Sequence, residues 1–153
     1  MQNASPVYLI DTNVFIYAVT EQDPPKPEHA LAVLDEIVAN EIGSVSTQIL
    51  NETFSWLTRG DRDEHKFEEA DVIVRAIISN YEVFETTVET VLEAVRGAVR
   101  YQLKIWDSLL WAAAKLNGVP YVLSEDLSHG QTLEGVTFLN PFADDFVLEG
   151  QPI

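Results

Sequence analysis

The feature that most narrows what this chain can fold into is an alternation. Five short runs rich in β-formers are separated by stretches with helical spacing. The runs are "VYLID" (7–11), "IGSVST" (42–47), "YEVFETT" (81–87), "YVLSED" (121–126) and "GVTFLNPF" (135–142). Between them lie predicted helices over 27–41, 48–59, 66–80, 88–102 and 105–118. Three prolines in "EQDPPKPEH" break the chain before the first of these, and Pro27 suits a first helical position. Thr47 is placed to cap the second, and Thr86 or Thr87 to cap the fourth. Val88, Val91, Leu92, Val95 and Val99 share one face of that fourth helix. Asn117-Gly118 stops the fifth. Strands alternating with helices predict an α/β fold with a mainly parallel sheet covered on both faces. Ligands of such sheets sit at the carboxyl ends of the strands, where the strand order switches direction. Asp11 and Asp126 each end a predicted strand, so they are expected to face one another across that crevice.

Four acids stand in apolar surroundings. Asp11 interrupts "VYLIDTNVFI"; Glu52 lies in "QILNETFSWL"; Asp107 lies in "KIWDSLLWAAA"; Asp126 closes "YVLSED". Each alone has an ordinary explanation. Asp11 and Asp107 suit helix N-caps, Glu52 a half-buried helix surface, Asp126 a turn. Together they are harder to dismiss. A buried carboxylate is costly without a partner, and no base precedes Lys26. Carboxylates gathered at one crevice repel and take up protons unless a cation holds them. With no Cys and no clustered His, oxygen ligands favour Mg²⁺ or Mn²⁺. Asn13, Thr12, Thr47, Ser108 and Ser124 are candidates to orient those ligands by hydrogen bonds. Divalent ions in such a site activate water and stabilise charge developing on a phosphodiester.

Composition sets the limits. The chain has 153 residues, 46% hydrophobic, which suits one domain with its own core. Residues 1–142 are read as that domain, and 143–153 as an acidic, frayed tail. No apolar run approaches the roughly 18 residues of a membrane span, and no basic signal region opens the sequence, so a cytoplasmic protein is expected. Asn3-Ala4-Ser5 and Asn51-Glu52-Thr53 match the glycosylation pattern by chance on this reading. The net charge is −16, from 25 acids and 9 bases. Non-specific nucleic-acid binders are usually basic, so charge alone argues against a polyanionic partner. Bound cations invert the local potential and remove part of that objection. Arg96, Arg100 and Lys104 are spaced by four and can form one basic stripe, a candidate RNA contact. His29, His65 and His129 are scattered and receive no catalytic role. Trp56, Trp106 and Trp111 read as core or interface residues.

The segments "YLIDTNVFIYA", "VSTQILNETFSWL" and "IWDSLLWAAAKLNGVPYVLSEDLSHGQTLEGVTFLNPF" resemble a PIN domain, and within that superfamily the VapC-type toxins of toxin–antitoxin pairs. The likeness spans about residues 6 to 142. A lone D-T-N is a weak signal; its ordered combination with a helical Glu, W-D-S-L-x-x-A-A and S-E-D-L is a strong one. The resemblance implies a three-layer α/β/α sandwich and a metal-dependent endoribonuclease. It implies that Asp11, Glu52, Asp107 and Asp126 form the acidic quartet that holds Mg²⁺ or Mn²⁺, with Asn13 as their polar partner. It also implies an RNA substrate, an antitoxin partner and a homodimer. Two other enzymatic classes fit less well. A haloacid-dehalogenase-type phosphatase needs a second Asp where Asn13 stands. A phosphoacceptor receiver needs a late loop lysine, whereas Lys115 lies within a helix. A catalytically inert binding module of the same fold is the remaining alternative.

Overall fold

The computed structural model describes residues 5–20 and 26–148. Strands β1 (Tyr8–Ile10), β2 (Gly43–Ser46), β3 (Glu82–Phe84), β4 (Tyr121–Leu123), β5 (Thr132–Leu133) and β6 (Val136–Leu139) form one sheet. Their order is β3-β2-β1-β4-β6-β5, parallel throughout except for the β5–β6 hairpin. β1 is therefore central. The chain builds outwards from it to β3, then returns to the other side of β1 with β4. That reversal makes the switch point between β1 and β4, where a crevice opens at the strands' carboxyl ends. Tyr8, Leu9 and Ile10 are fully buried, as a strand covered on both faces must be.

Among the described residues six helices cover the sheet: α1 (Thr12–Val19), α2 (Lys26–Ala39), α3 (Thr47–Leu57), α4 (Glu64–Asn80), α5 (Val88–Tyr101) and α6 (Ile105–Leu116). The expected sandwich with a mainly parallel sheet is what the chain forms. α1 and β5 were not anticipated. α1 buries three consecutive residues, Val14, Phe15 and Ile16, so its sequence reads as a continued apolar run rather than a 3.6-residue period. The cap of α3 is Ser46, whose hydroxyl accepts from the Ile49 N–H; Thr47 is already helical. Thr87 caps α5 in a reciprocal box with Thr90. Asp107 is no cap, because α6 begins after Lys104 and places Asp107 in its first turn.

α5 turns its shared valine–leucine face outwards. Its small residues Thr90, Ala94 and Gly97 face inwards, and Val88, Leu92 and Val99 are 77%, 66% and 72% exposed. Gly97 permits this close approach to α6: a methyl group there would come within 2.5 Å of Trp111 Cζ3 and 2.7 Å of Ser108 Oγ. The periodicity was real, but it marks an outward stripe. At the other end of the chain, residues 143–148 fold back. Phe146 and Leu148 pack against the core, and His129 Nε2 lies 3.1 Å from Asp145. The remainder of the expected tail, 149–153, lies outside the described residues.

Candidate active site

β1 delivers Asp11 to the crevice. The residue leaves the strand in an extended conformation and caps α1, its Oδ1 accepting from the Thr12 N–H at 2.7 Å. The cap explanation for Asp11 therefore holds, and it leaves the second carboxylate oxygen free for other partners. Oδ2 accepts from Ser124 Oγ at 2.6 Å. Asp11 is 7% exposed, and no cation is among the groups that set its proton affinity. Burial pushes its carboxyl up to about 6. The Ser124 and Thr12 hydrogen bonds oppose the rise, and the charges of Glu52 and Asp126 add to it.

The other three acids arrive from three further segments. Asp126 follows β4 and accepts from Asn13 Nδ2 at 3.1 Å. Asn13 also reaches Ser124 Oγ (3.4 Å) and Asp11 Oδ2 (3.5 Å). With two protons for three acceptors, the contact to Asp126 is the firmest. The Ser124 hydroxyl in turn accepts from the Asp126 N–H at 3.1 Å. Glu52, on α3, accepts from Thr12 Oγ1 at 3.0 Å and from Gln48 Nε2 at 2.8 Å. Asp107 makes no hydrogen bond among the described residues. Burial raises its carboxyl above the usual range, as do the charges of Asp126 and Glu52, while Lys104 lowers it. The charges of Glu52 and Asp126 thus act on both Asp11 and Asp107, which places the four acids around one crevice.

Thr12, Asn13 and Ser124 stand where their expected orienting role requires. Thr47 and Ser108 do not. Thr47 Oγ1 bonds to Thr86, tying α3 to the loop before α5, and buried Ser108 donates to the Ala94 carbonyl at 2.6 Å. Gln48, which the sequence reading passed over, belongs to the site. It bridges Glu52 and the Trp106 carbonyl (3.2 Å), and its only sequence signal is its place one turn before Glu52.

The basic stripe divides. Arg96 is committed to Glu93 and Glu134, which Lys115 also pairs, so it is not available as a stripe member. Arg100 lies over the Tyr101 ring. Lys104 is exposed beside Asp107. His29 bonds the Pro141 carbonyl, and His129 accepts from the Asn140 N–H, both away from the acids. Trp111 is a core residue, but Trp106 is 63% exposed and Trp56 is half-buried. A hollow of about 890 Å³ opens at the amino ends of β1, β2 and β3, beside Pro6, Gly43 and Glu82. It gathers no comparable set of acids.

The donor set fits a hard divalent cation. Asp11 is a nearly buried carboxylate without a basic mate, and Asp107 is a half-buried one without a hydrogen bond. Both are held above their ordinary range, as expected where negative charge lacks compensation. Among the described residues no three acidic or imidazole groups already close into a finished cage. Such an open arrangement suits an ion that keeps several of its waters, as Mg²⁺ does.

A doubly wound sheet with acids gathered at its switch point is a class shared by several nucleotide- and phosphate-handling folds. The sequence narrows it: residues 8–132 match the PIN domain model, and the chain belongs to that family. No curated protein matches the sequence. Solved structures share the fold. The toxin–antitoxin complex from Klebsiella pneumoniae superposes with a TM-score of 0.66 at 16% identity, covering 88% of this chain and 98% of that one. VapBC2 of Rickettsia felis, bound to a DNA fragment from its promoter, gives 0.65 at 13% identity, covering 87% and 97%. VapC20 of Mycobacterium tuberculosis, a toxin that cleaves the sarcin–ricin loop, gives 0.62 at 15% identity, covering 75% and 86%.

Proposed function

We propose that this PIN domain is a Mg²⁺- or Mn²⁺-dependent endoribonuclease and the toxin of a toxin–antitoxin pair. The observation that carries the reading is the convergence of Asp11, Glu52, Asp107 and Asp126 from four separate segments on one crevice, with Asp11 nearly buried and unmatched by any base. A divalent ion held there would neutralise charge on a phosphodiester and lower the pKa of a bound water, so that hydroxide is available as the nucleophile near neutral pH. The chain's own groups prepare that site. Thr12 and Ser124 hold the Asp11 carboxylate in one orientation. Asn13 holds Asp126 beside it. Thr12 and Gln48 grip the two oxygens of Glu52. Asp107 keeps its oxygens uncommitted.

Partners follow from two surfaces. The outward stripe of α5 suits a second copy, because a contiguous exposed apolar face is a common mark of association. An apolar hollow of about 330 Å³, walled by Phe15, Val19, Leu34 and Ile77, suits an inserted side chain of an antitoxin. Complexes of that kind are among the structural neighbours.

The test incubates the purified chain, freed of any partner, with structured RNA and Mg²⁺ or Mn²⁺. Cleavage is expected, and loss of it with EDTA, in Asp11→Asn and in Asp107→Asn. Cleavage that survives chelation or either substitution overturns the metal mechanism. Failure to cut any of a broad RNA panel supports the inert-module alternative.

A further inference from the structure

Each of the two helices that carry an acid into the crevice also carries, beside that acid, one tryptophan and one cation without a carboxylate partner. On α3, Glu52, Trp56 and Arg59 follow at intervals of four and three residues, the spacing of one continuous helix face, with Arg59 just past the helix end. On α6, Lys104 and Trp106 immediately precede Asp107. Trp106 is 63% exposed, an unusual cost for a large indole in a small domain. The Arg59 guanidinium lies 3.7 Å from the Trp56 ring centroid. Asn51, Glu52, Ser55, Trp56 and Arg59 line a hollow of about 480 Å³. The two groups are joined, since Gln48 donates both to Glu52 and to the Trp106 carbonyl.

Among the described residues most other cations are spent. Lys26 pairs with Glu125, Arg75 with Asp71, and Arg96 and Lys115 with Glu93 and Glu134. Lys66 donates to backbone carbonyls. In a chain of net charge −16, Arg59 and Lys104 are thus left without an ion pair among the described residues, Arg59 resting on the Trp56 ring and Lys104 beside Asp107. One exposed indole, Trp106, and one half-buried indole, Trp56, each beside a cation with no carboxylate in ion-pair range, are the composition of a platform for unpaired nucleobases: the ring takes the base and the cation takes the adjoining phosphate.

Resting on the nuclease reading above, we infer that Trp56 and Trp106 stack the nucleobases on the two sides of the cleaved phosphodiester, with Arg59 and Lys104 pairing the neighbouring phosphates. The substrate is accordingly an unpaired stretch of RNA, since bases in a duplex have no free face to offer. This also answers how so acidic a surface admits a polyanion: affinity comes from stacking and two local cations rather than from a basic field.

The test measures binding of the full chain, in EDTA, to a labelled 12-nucleotide oligouridine, to a strand of equal length built of abasic nucleotides, and to a duplex. Wild type is expected to prefer oligouridine to either other strand by more than tenfold. Trp106→Ala and Trp56→Ala are each expected to weaken oligouridine binding by roughly 5- to 100-fold, the range of one lost stack. Both leave abasic binding unchanged, and the Phe variants retain most affinity. Far-ultraviolet circular dichroism and the Phe variants distinguish a lost stack from a lost fold. Equal binding of abasic and uridine strands by wild type overturns the inference, as does wild-type affinity in both Ala variants. If the chain still cleaves RNA with metal in either case, the stacking role alone has failed. If it neither binds nor cleaves any RNA, both readings fall. Unchanged RNA affinity in Trp106→Ala with loss of self-association assigns the indole to a protein contact and also overturns it.

Discussion

Replacing Asp11 by Asn should stabilise the metal-free protein, and the gain should depend on pH. The folded protein holds the Asp11 carboxyl at about 6, against 3.8 in an exposed chain. It therefore keeps its proton to higher pH than the unfolded chain does. Between about pH 4 and 6 the unfolded state releases that proton first, so stability falls as pH rises through this window. Above both values the cost amounts to about 3 kcal/mol. Asn removes the charge and keeps the shape, including an oxygen for the Thr12 N–H. Urea unfolding of both proteins in EDTA, followed by tryptophan fluorescence from pH 4 to 8, isolates the effect as a difference between the two. The stability of Asp11→Asn relative to wild type should grow by about 2.5 kcal/mol from pH 4 to pH 8, since part of the change is already made at pH 4. Saturating Mn²⁺ should recover wild type at pH 8, by about 2.7 kcal/mol at a hundred times the dissociation constant, and leave Asp11→Asn unmoved. A relative change below about 1 kcal/mol across the range refutes the argument that burial without a partner raises this carboxyl.

Other perturbations test other parts of the molecule. Gly97→Ala should cost about 1–3 kcal/mol in urea unfolding, because its methyl meets Trp111 and Ser108 with no room to spare. Leu92→Glu, on the outward stripe of α5, should leave the melting temperature of the dilute protein unchanged and convert a dimer to monomer in sedimentation velocity; unaltered sedimentation of a dimer removes α5 from the interface. Glu93 and Glu134 are both held down to about 2, the first chiefly by Arg96 and then Lys115, the second by Tyr101 and then Arg96. Their ion pairs stabilise the fold above about 4.5 and lose that contribution as pH falls towards 2. Lys115→Met should therefore lower the melting temperature more at pH 7 than at pH 2.

Five of the six strands and the four acids in apolar surroundings were legible for one reason: each is a local contradiction or a local pattern. "VYLI" ends in a charge it cannot pair, and that is visible without a structure. The bonding around the acids was legible only in part. Asn13 and Ser124 were candidates by type, but so were Thr47 and Ser108, and only the crossing of chain segments decides which hydroxyl meets which carboxylate. Helical periodicity at α5 told only part, because it reports that a helix has two unlike faces and not which one is covered. Thr90, Ala94 and Gly97 made the buried face by being small, and smallness carries little signal in a hydrophobicity pattern. The tryptophans, read as core or interface residues, divide between the two. Trp111 is core and Trp106, five residues earlier, is not, because 500° of helical rotation separates them by about 140° around the α6 axis.

The tight joint between α5 and α6 has a mechanical consequence. The Ser108 hydroxyl grips the Ala94 carbonyl at 2.6 Å, and the next residue back along α6 is Asp107. No compressible layer of long side chains separates the two helices at that point, so they are geared rather than cushioned. Force applied to the outer face of α5 is delivered to the root of a crevice carboxylate with little loss on the way.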